Sequence, residues 1–122
     1  MREIEKTMVR EIEFNAGYWK KSFSCRDSVE CKGYNTFDYY LWENNIFSKD
    51  STGIEFSFCG WSSQTTKNRL NAFLFSFWNE RPAPQIKQVN FNMVLRLKDK
   101  EYKIDTSKRY RINYADSVLK EV

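Results

Sequence analysis

Leu70, Phe73, Leu74, Phe77 and Trp78 recur at spacings of three and four residues. Only an α-helix puts those five side chains on one face, so an amphipathic helix is expected over residues 65–79. The run from Asn79 to Pro84 ends it, because each proline restricts the residue before it and brings no backbone N–H. A helix with one apolar face needs a second layer to cover that face. The flanking sequence supplies one. Ile54, Phe56 and Phe58 alternate with Glu55, Ser57 and Cys59, and Val89, Phe91, Met93, Leu95 and Leu97 alternate over nine residues. A period of two marks a strand with one buried face.

Residues 28–34 and 36–47 also read as strands. In the second, Phe37, Tyr39 and Leu41 share one face, and Asp38, Tyr40 and Trp42 share the other. Asp99-Lys100 reads as a hairpin turn, followed by short strands over residues 101–105 and 109–114. Asp116 is placed to cap a short terminal helix over residues 117–121. Residues 2–15 carry both a helical spacing (Ile4, Met8, Val9, Ile12) and a strand-like alternation, and are read as a short helix or mixed segment ending near Gly17. The expected fold is α+β: a mainly antiparallel sheet of about five to six strands with one amphipathic helix packed on one face. The 122 residues suit a single domain, with a core over residues 28–114 and residues 1–27 as an N-terminal extension. Aromatic residues make up 17% of the chain, enough to build an apolar core from a few large side chains.

Histidine is absent. That removes Ser-His-Asp and Cys-His chemistry and the commonest zinc ligand. Cys25, Cys31 and Cys59 are odd in number and form no CxxC pair, so neither a disulfide framework nor a metal site is expected, and a reducing cytoplasm suits them. No cofactor is expected. No leading apolar run marks a signal peptide, and no run of about 18 apolar residues marks a membrane span. An enzyme pairing a carboxylate with a Tyr or Lys is conceivable, but nothing marks a particular pair. The chain is read as non-enzymatic.

The formal net charge of +4 is unevenly placed. Residues 1–60 carry 8 Lys/Arg against 10 Asp/Glu; residues 61–122 carry 12 against 6. A local positive field favours acidic partners such as nucleic acid. Two constellations carry it. At the helix start, Ser62, Ser63, Thr65 and Thr66 bring hydroxyls and Lys67 and Arg69 bring charge, beside backbone N–H groups that have no helical partner. That set would hold a phosphate or carboxylate. Alternatively, Thr65 caps an ordinary helix while Lys67 and Arg69 extend into water. The second constellation is a basic hairpin. Arg96, Lys98, Lys103, Arg109 and Arg111, with Lys100 and Lys108, fall within 16 residues. Strand alternation puts Arg96, Lys98, Arg109 and Arg111 on the solvent side of one sheet, as a ribbon that tracks a phosphate backbone or as a solvated face with a charged edge.

Tyr34-Asn35-Thr36, Gly60-Trp61 and Thr65-Thr66-Lys67-x-Arg69-x-Asn71, followed by Gln88 before Val89-Asn90-Phe91, resemble a family of small proteins encoded by phages and other mobile elements. Its members are of unknown function. The resemblance spans about residues 30–105, with Cys59 where the pattern often has a small residue and Asp105-Thr106 in place of Asp-Gly. It implies an accessory protein of an infected bacterial cell, acting by binding. On that footing the first expectation is an inhibitor of host defence machinery, for example a CRISPR-Cas nucleoprotein effector, with a host protein or nucleoprotein complex as partner. The alternative is a module that binds DNA or RNA directly through the basic hairpin and the helix start. No membrane partner is expected.

Overall fold

In the computed structural model, which describes residues 1–122, the alternating segments pair into antiparallel sheets around the predicted helix. Helix α1 (Glu3–Phe14) leads into a meander of β1 (Tyr18–Ser22), β2 (Asp27–Gly33), β3 (Thr36–Leu41), β4 (Asn44–Lys49) and β5 (Gly53–Ser57). Helix α2 (Gln64–Phe77) follows, then β6 (Gln85–Val89), β7 (Asn92–Leu97) and β8 (Lys100–Ile104). The chain returns through β9 (Arg109–Asn113), and β10 (Leu119–Glu121) closes the far edge. The large sheet has the order β1-β2-β3-β4-β5-β9-β10, and the small one β6-β7-β8. Since β5 pairs directly with β9, helix α2 and the small sheet form one excursion between neighbouring strands.

The expectation of one sheet of five to six strands with a single helix is therefore corrected. Ten strands form sheets of seven and three, with two helices. Part of the difference lies in hairpins that alternation does not reveal. The expected strand over 36–47 folds back at Trp42 (φ 51°) and Glu43 (φ 67°), and the strand over 88–97 folds back at Asn90 (φ 48°) and Phe91 (φ 66°). Two consecutive positive φ values make the tight turn whose twist matches paired strands. Asn-Gly is its usual signature; Trp42-Glu43 has neither residue, and Asn90-Phe91 has the asparagine without the glycine. Met93, Leu95 and Leu97 are buried as expected, whereas Val89 and Phe91 are exposed. Residues 117–121 form no helix: β10 pairs with β9, Leu119 opposite Ile112.

Helix α2 starts at Gln64, and its N-cap is Ser63 rather than Thr65. Ser63 is extended (φ −86°, ψ 156°), and its Oγ accepts from the Thr66 backbone N–H at 3.1 Å. Ser63→Ala should cost about 1 kcal/mol in chemical denaturation, since that N–H loses its acceptor. The helix is buried more broadly than its stripe predicts. Besides Leu70, Phe73 and Leu74, it buries Thr66, Arg69 and Ala72. The reason is that α2 lies between the two sheets. Its Phe73 ring packs on Phe37, Tyr39 and Phe47 of the large sheet. On the other side, Asn71 accepts from the Ile86 N–H at 2.7 Å and donates to the Ile86 carbonyl at 2.9 Å, docking β6. Ile86, Met93, Leu95, Leu97 and Ile104 of the small sheet join the same core cluster, and Met8 and Val9 of α1 complete it.

Candidate functional site

The start of α2, which the sequence marks as an anion contact, divides into a buried half and an exposed half. Arg69 belongs to the buried half. Its side chain is fully buried and does not extend into water. Nε donates to Asp27 Oδ1 at 2.7 Å, Nη2 to Asp27 Oδ2 at 3.3 Å, and Nη1 to Glu5 Oε2 at 2.8 Å. Asp27 and Glu5 are themselves almost fully buried. The other Glu5 oxygen accepts from the Arg2 N–H at 2.8 Å, so one carboxylate both caps α1 and holds Arg69. Asp27 also accepts from the hydroxyls of Tyr39 and of Ser24. Burial by itself would raise the Asp27 pKa. The hydrogen bonds from Arg69, Tyr39 and Ser24, with the guanidinium charge, outweigh it and hold the carboxyl below its usual range. The Tyr39 hydroxyl is pushed up by burial and by the adjacent carboxylate. This cluster joins α1, β2, β3 and α2. It leaves Arg69 no free face for an outside anion.

The exposed half opens on a cavity of about 400 Å³. Leu41, Ile46 and Phe58 form its floor, and Ser63, Thr65 and Thr66 of the helix start form one wall. Trp42, at the tip of the β3–β4 hairpin, and Trp61, in the turn before α2, flank it with 62% and 66% of their surface exposed. Arg26 lies at the rim, its Nε 3.5 Å from the buried Asp27. The hydroxyls of Ser63 and Thr66 bond each other at 2.9 Å, and Thr66 is buried. Ser62 is exposed and Lys67 half-buried. Thus Ser63, Thr65 and Thr66 are brought together here, while the expected partnership of Lys67 with Arg69 does not form.

The basic hairpin divides in the same way. Arg96, Lys98 and Lys103 lie on the small sheet or its turn; Arg109 and Arg111 lie on the large one. One continuous ribbon does not exist. Arg109 donates to Glu55 at 2.8 Å, to the Asn45 carbonyl at 3.0 Å and to Asn45 Oδ1 at 2.7 Å. Arg111 reaches Asp50 at 3.0 Å, Glu55 at 3.2 Å and Thr52 at 2.7 Å. Partial burial opposes the charge on Asp50, but Arg111 and Thr52 still hold its carboxyl well below its usual range.

The chain matches the family model described as Kyanoviridae Gp96 protein over residues 1–114. It belongs to that family of phage proteins. The match to the Gp96 family takes in α1 and β1 as well as the sheets and α2, and stops just beyond β9. No curated protein and no solved structure matches the chain. None of the helices of this Gp96 family member is long and apolar enough to cross a membrane. The two tryptophans beside the cavity were absent from the expected site. Trp61 was visible as Gly60-Trp61 next to the helix start, but only the fold brings Trp42, 19 positions earlier, to the same cavity.

Proposed function

We propose that this Gp96 family member acts by binding, as an inhibitor of host defence machinery such as a CRISPR-Cas nucleoprotein effector, with the face around Trp42 and Trp61 as its protein contact. The observation that carries this reading is the pair of exposed indoles over an apolar floor. Large aromatic side chains left in water at a concave site are what a partner desolvates on docking, and tryptophan is the residue type most enriched among binding hot spots. A binding role also agrees with the state of three carboxylates on or beside the large sheet: Asp38, Asp50 and Glu55 are each held in an ion pair, with Lys32, Arg111 and Arg109 respectively.

The test uses cells that carry a defined CRISPR-Cas effector programmed against a test phage. Expression of the protein should raise plating of that phage, and purified effector should bind it. Trp42→Ala and Trp61→Ala should each weaken that binding about thirtyfold, the loss expected of a hot spot, with an unchanged circular dichroism spectrum. No protection and no effector binding would overturn the inhibitor reading. Binding that survives the combined variant Trp42→Ala/Trp61→Ala would overturn the tryptophan face. A second reading, direct contact with nucleic acid, is favoured by a separate observation: the cations of the small sheet have no ion-pair partners within the protein.

A further inference from the structure

The small sheet buries one face against α2 and leaves the other bare. Its register puts Gln85, Arg96 and Glu101 in one outward row, and Lys87, Val94 and Lys103 in the next. Residues 85–104 hold five cations (Lys87, Arg96, Lys98, Lys100 and Lys103) against Asp99 and Glu101. Every ion pair in the molecule lies outside this segment. These charges contrast with Arg109 and Arg111, which are fully engaged on the large sheet. Strand spacing puts the backbones of Lys87 and Lys103 about 10 Å apart on either side of β7, with Arg96 about 7 Å further along.

At the end of the same sheet stands Phe91, with 96% of its surface exposed and Val89 next to it at 45%. Phe91 also has a positive φ of 66°. Glycine or asparagine suits that conformation better, and a ring in water contributes nothing to folding. Its position is unexplained by packing within this chain. We infer that the outer face of β6-β7-β8 binds single-stranded nucleic acid, with Lys87, Arg96 and Lys103 on its phosphates and Phe91 stacked on a base. The inference rests on the second reading given above and specifies its surface and its ligand. An exposed aromatic beside unpaired cations is the combination that holds single strands without a sequence code. An anionic membrane fits less well. Phe91 is flanked in sequence by Asn90 and Asn92, Val89 is the one other exposed apolar side chain at that turn, and the cations lie along the strands rather than around the tip that would insert.

The test measures binding of the full chain to a labelled single-stranded oligonucleotide, the matching duplex and anionic lipid vesicles across salt concentration. With about three phosphates neutralised, the single-strand affinity should fall about twentyfold between about 50 mM and about 200 mM salt. Lys87→Gln/Arg96→Gln/Lys103→Gln should flatten the slope of log affinity against log salt by about 2. Phe91→Gly should weaken single-strand binding about tenfold. Glycine suits the turn, so this variant should fold at least as well as the parent, which circular dichroism checks. Duplex bound as tightly as single strand, with no effect of Phe91→Gly, would overturn the single-strand inference and leave direct nucleic-acid contact standing. No binding to either oligonucleotide would overturn both. Vesicle binding that Phe91→Gly abolishes, without oligonucleotide binding, would assign the face to membranes and overturn the inference.

Discussion

Arg69→Met should lower the unfolding free energy by about 3–5 kcal/mol, a loss expected when one partner of a buried ionic cluster is removed. The substitution keeps most of the volume of the side chain but strands Glu5 without its counter-charge and leaves Asp27 only the longer contact to the part-exposed Arg26, both carboxylates being nearly inaccessible to water. For a domain of this size the melting temperature should fall by about 10–20 °C. The pH dependence gives a sharper signature. In the parent, the depressed pKa of Asp27 contributes stability that is present above the ordinary carboxylate range and is lost as pH falls below it. In the variant the bond and charge of the guanidinium are gone while the bonds from Tyr39 and Ser24 remain, so the Asp27 pKa should rise toward its ordinary value and the stability lost on acidification should be smaller than in the parent. Urea titrations of both proteins at several pH values read this directly. A variant as stable as the parent would show that Arg69 is not essential to the core. A further change to Glu5→Gln/Asp27→Asn/Arg69→Met should return part of the loss, because it removes the stranded charges along with the cation but leaves two buried amides to be hydrogen-bonded.

Phe73→Ala should cost about 3–5 kcal/mol by a different mechanism. The ring is fully buried and packs 4.8 Å from Tyr39, 5.2 Å from Phe47, 5.9 Å from Phe37 and 6.2 Å from Phe77, centroid to centroid. Its removal leaves a cavity walled by rings that rigid strands hold in place, so collapse to fill it is limited. The loss should show as a lower denaturation midpoint with little change in its dependence on pH. That separates it from Arg69→Met, although the two residues lie one helical turn apart on α2. Phe73→Leu should recover more than half of the loss, since it restores most of the buried apolar volume. An alanine variant within about 1 kcal/mol of the parent would mean that the aromatic cluster repacks freely.

Several elements were readable because their signal is local. The stripe through Leu70, Phe73, Leu74 and Phe77 specifies a helix, and the alternation of Ile54, Phe56 and Phe58 specifies a strand, whatever they later pack against. The hairpin at Trp42-Glu43 is hidden because neither residue is one that the turn favours, and that at Asn90-Phe91 because Phe91 stands where glycine is usual. Strand β10 is hidden because its three residues form an edge whose only determinant is pairing with β9.

The candidate site shows the division most clearly. Composition and spacing determined that the second half of the chain is basic, that histidine chemistry is absent and that hydroxyl groups gather at the start of α2. The partners of Arg69, Arg109 and Arg111 were decided by tertiary structure alone. Arg69 meets Glu5 and Asp27 across separations of 64 and 42 residues, and Arg109 meets Glu55 across 54. Such pairings have no period and no spacing, since they exist only once strands and helices have docked. Lys87, Arg96 and Lys103 look no different from Arg109 and Arg111 in the sequence. The fold drew one group into ion pairs with carboxylates and left the other unpaired and facing water, and that difference in electrostatic surroundings is what separates a structural charge from one free to meet a partner.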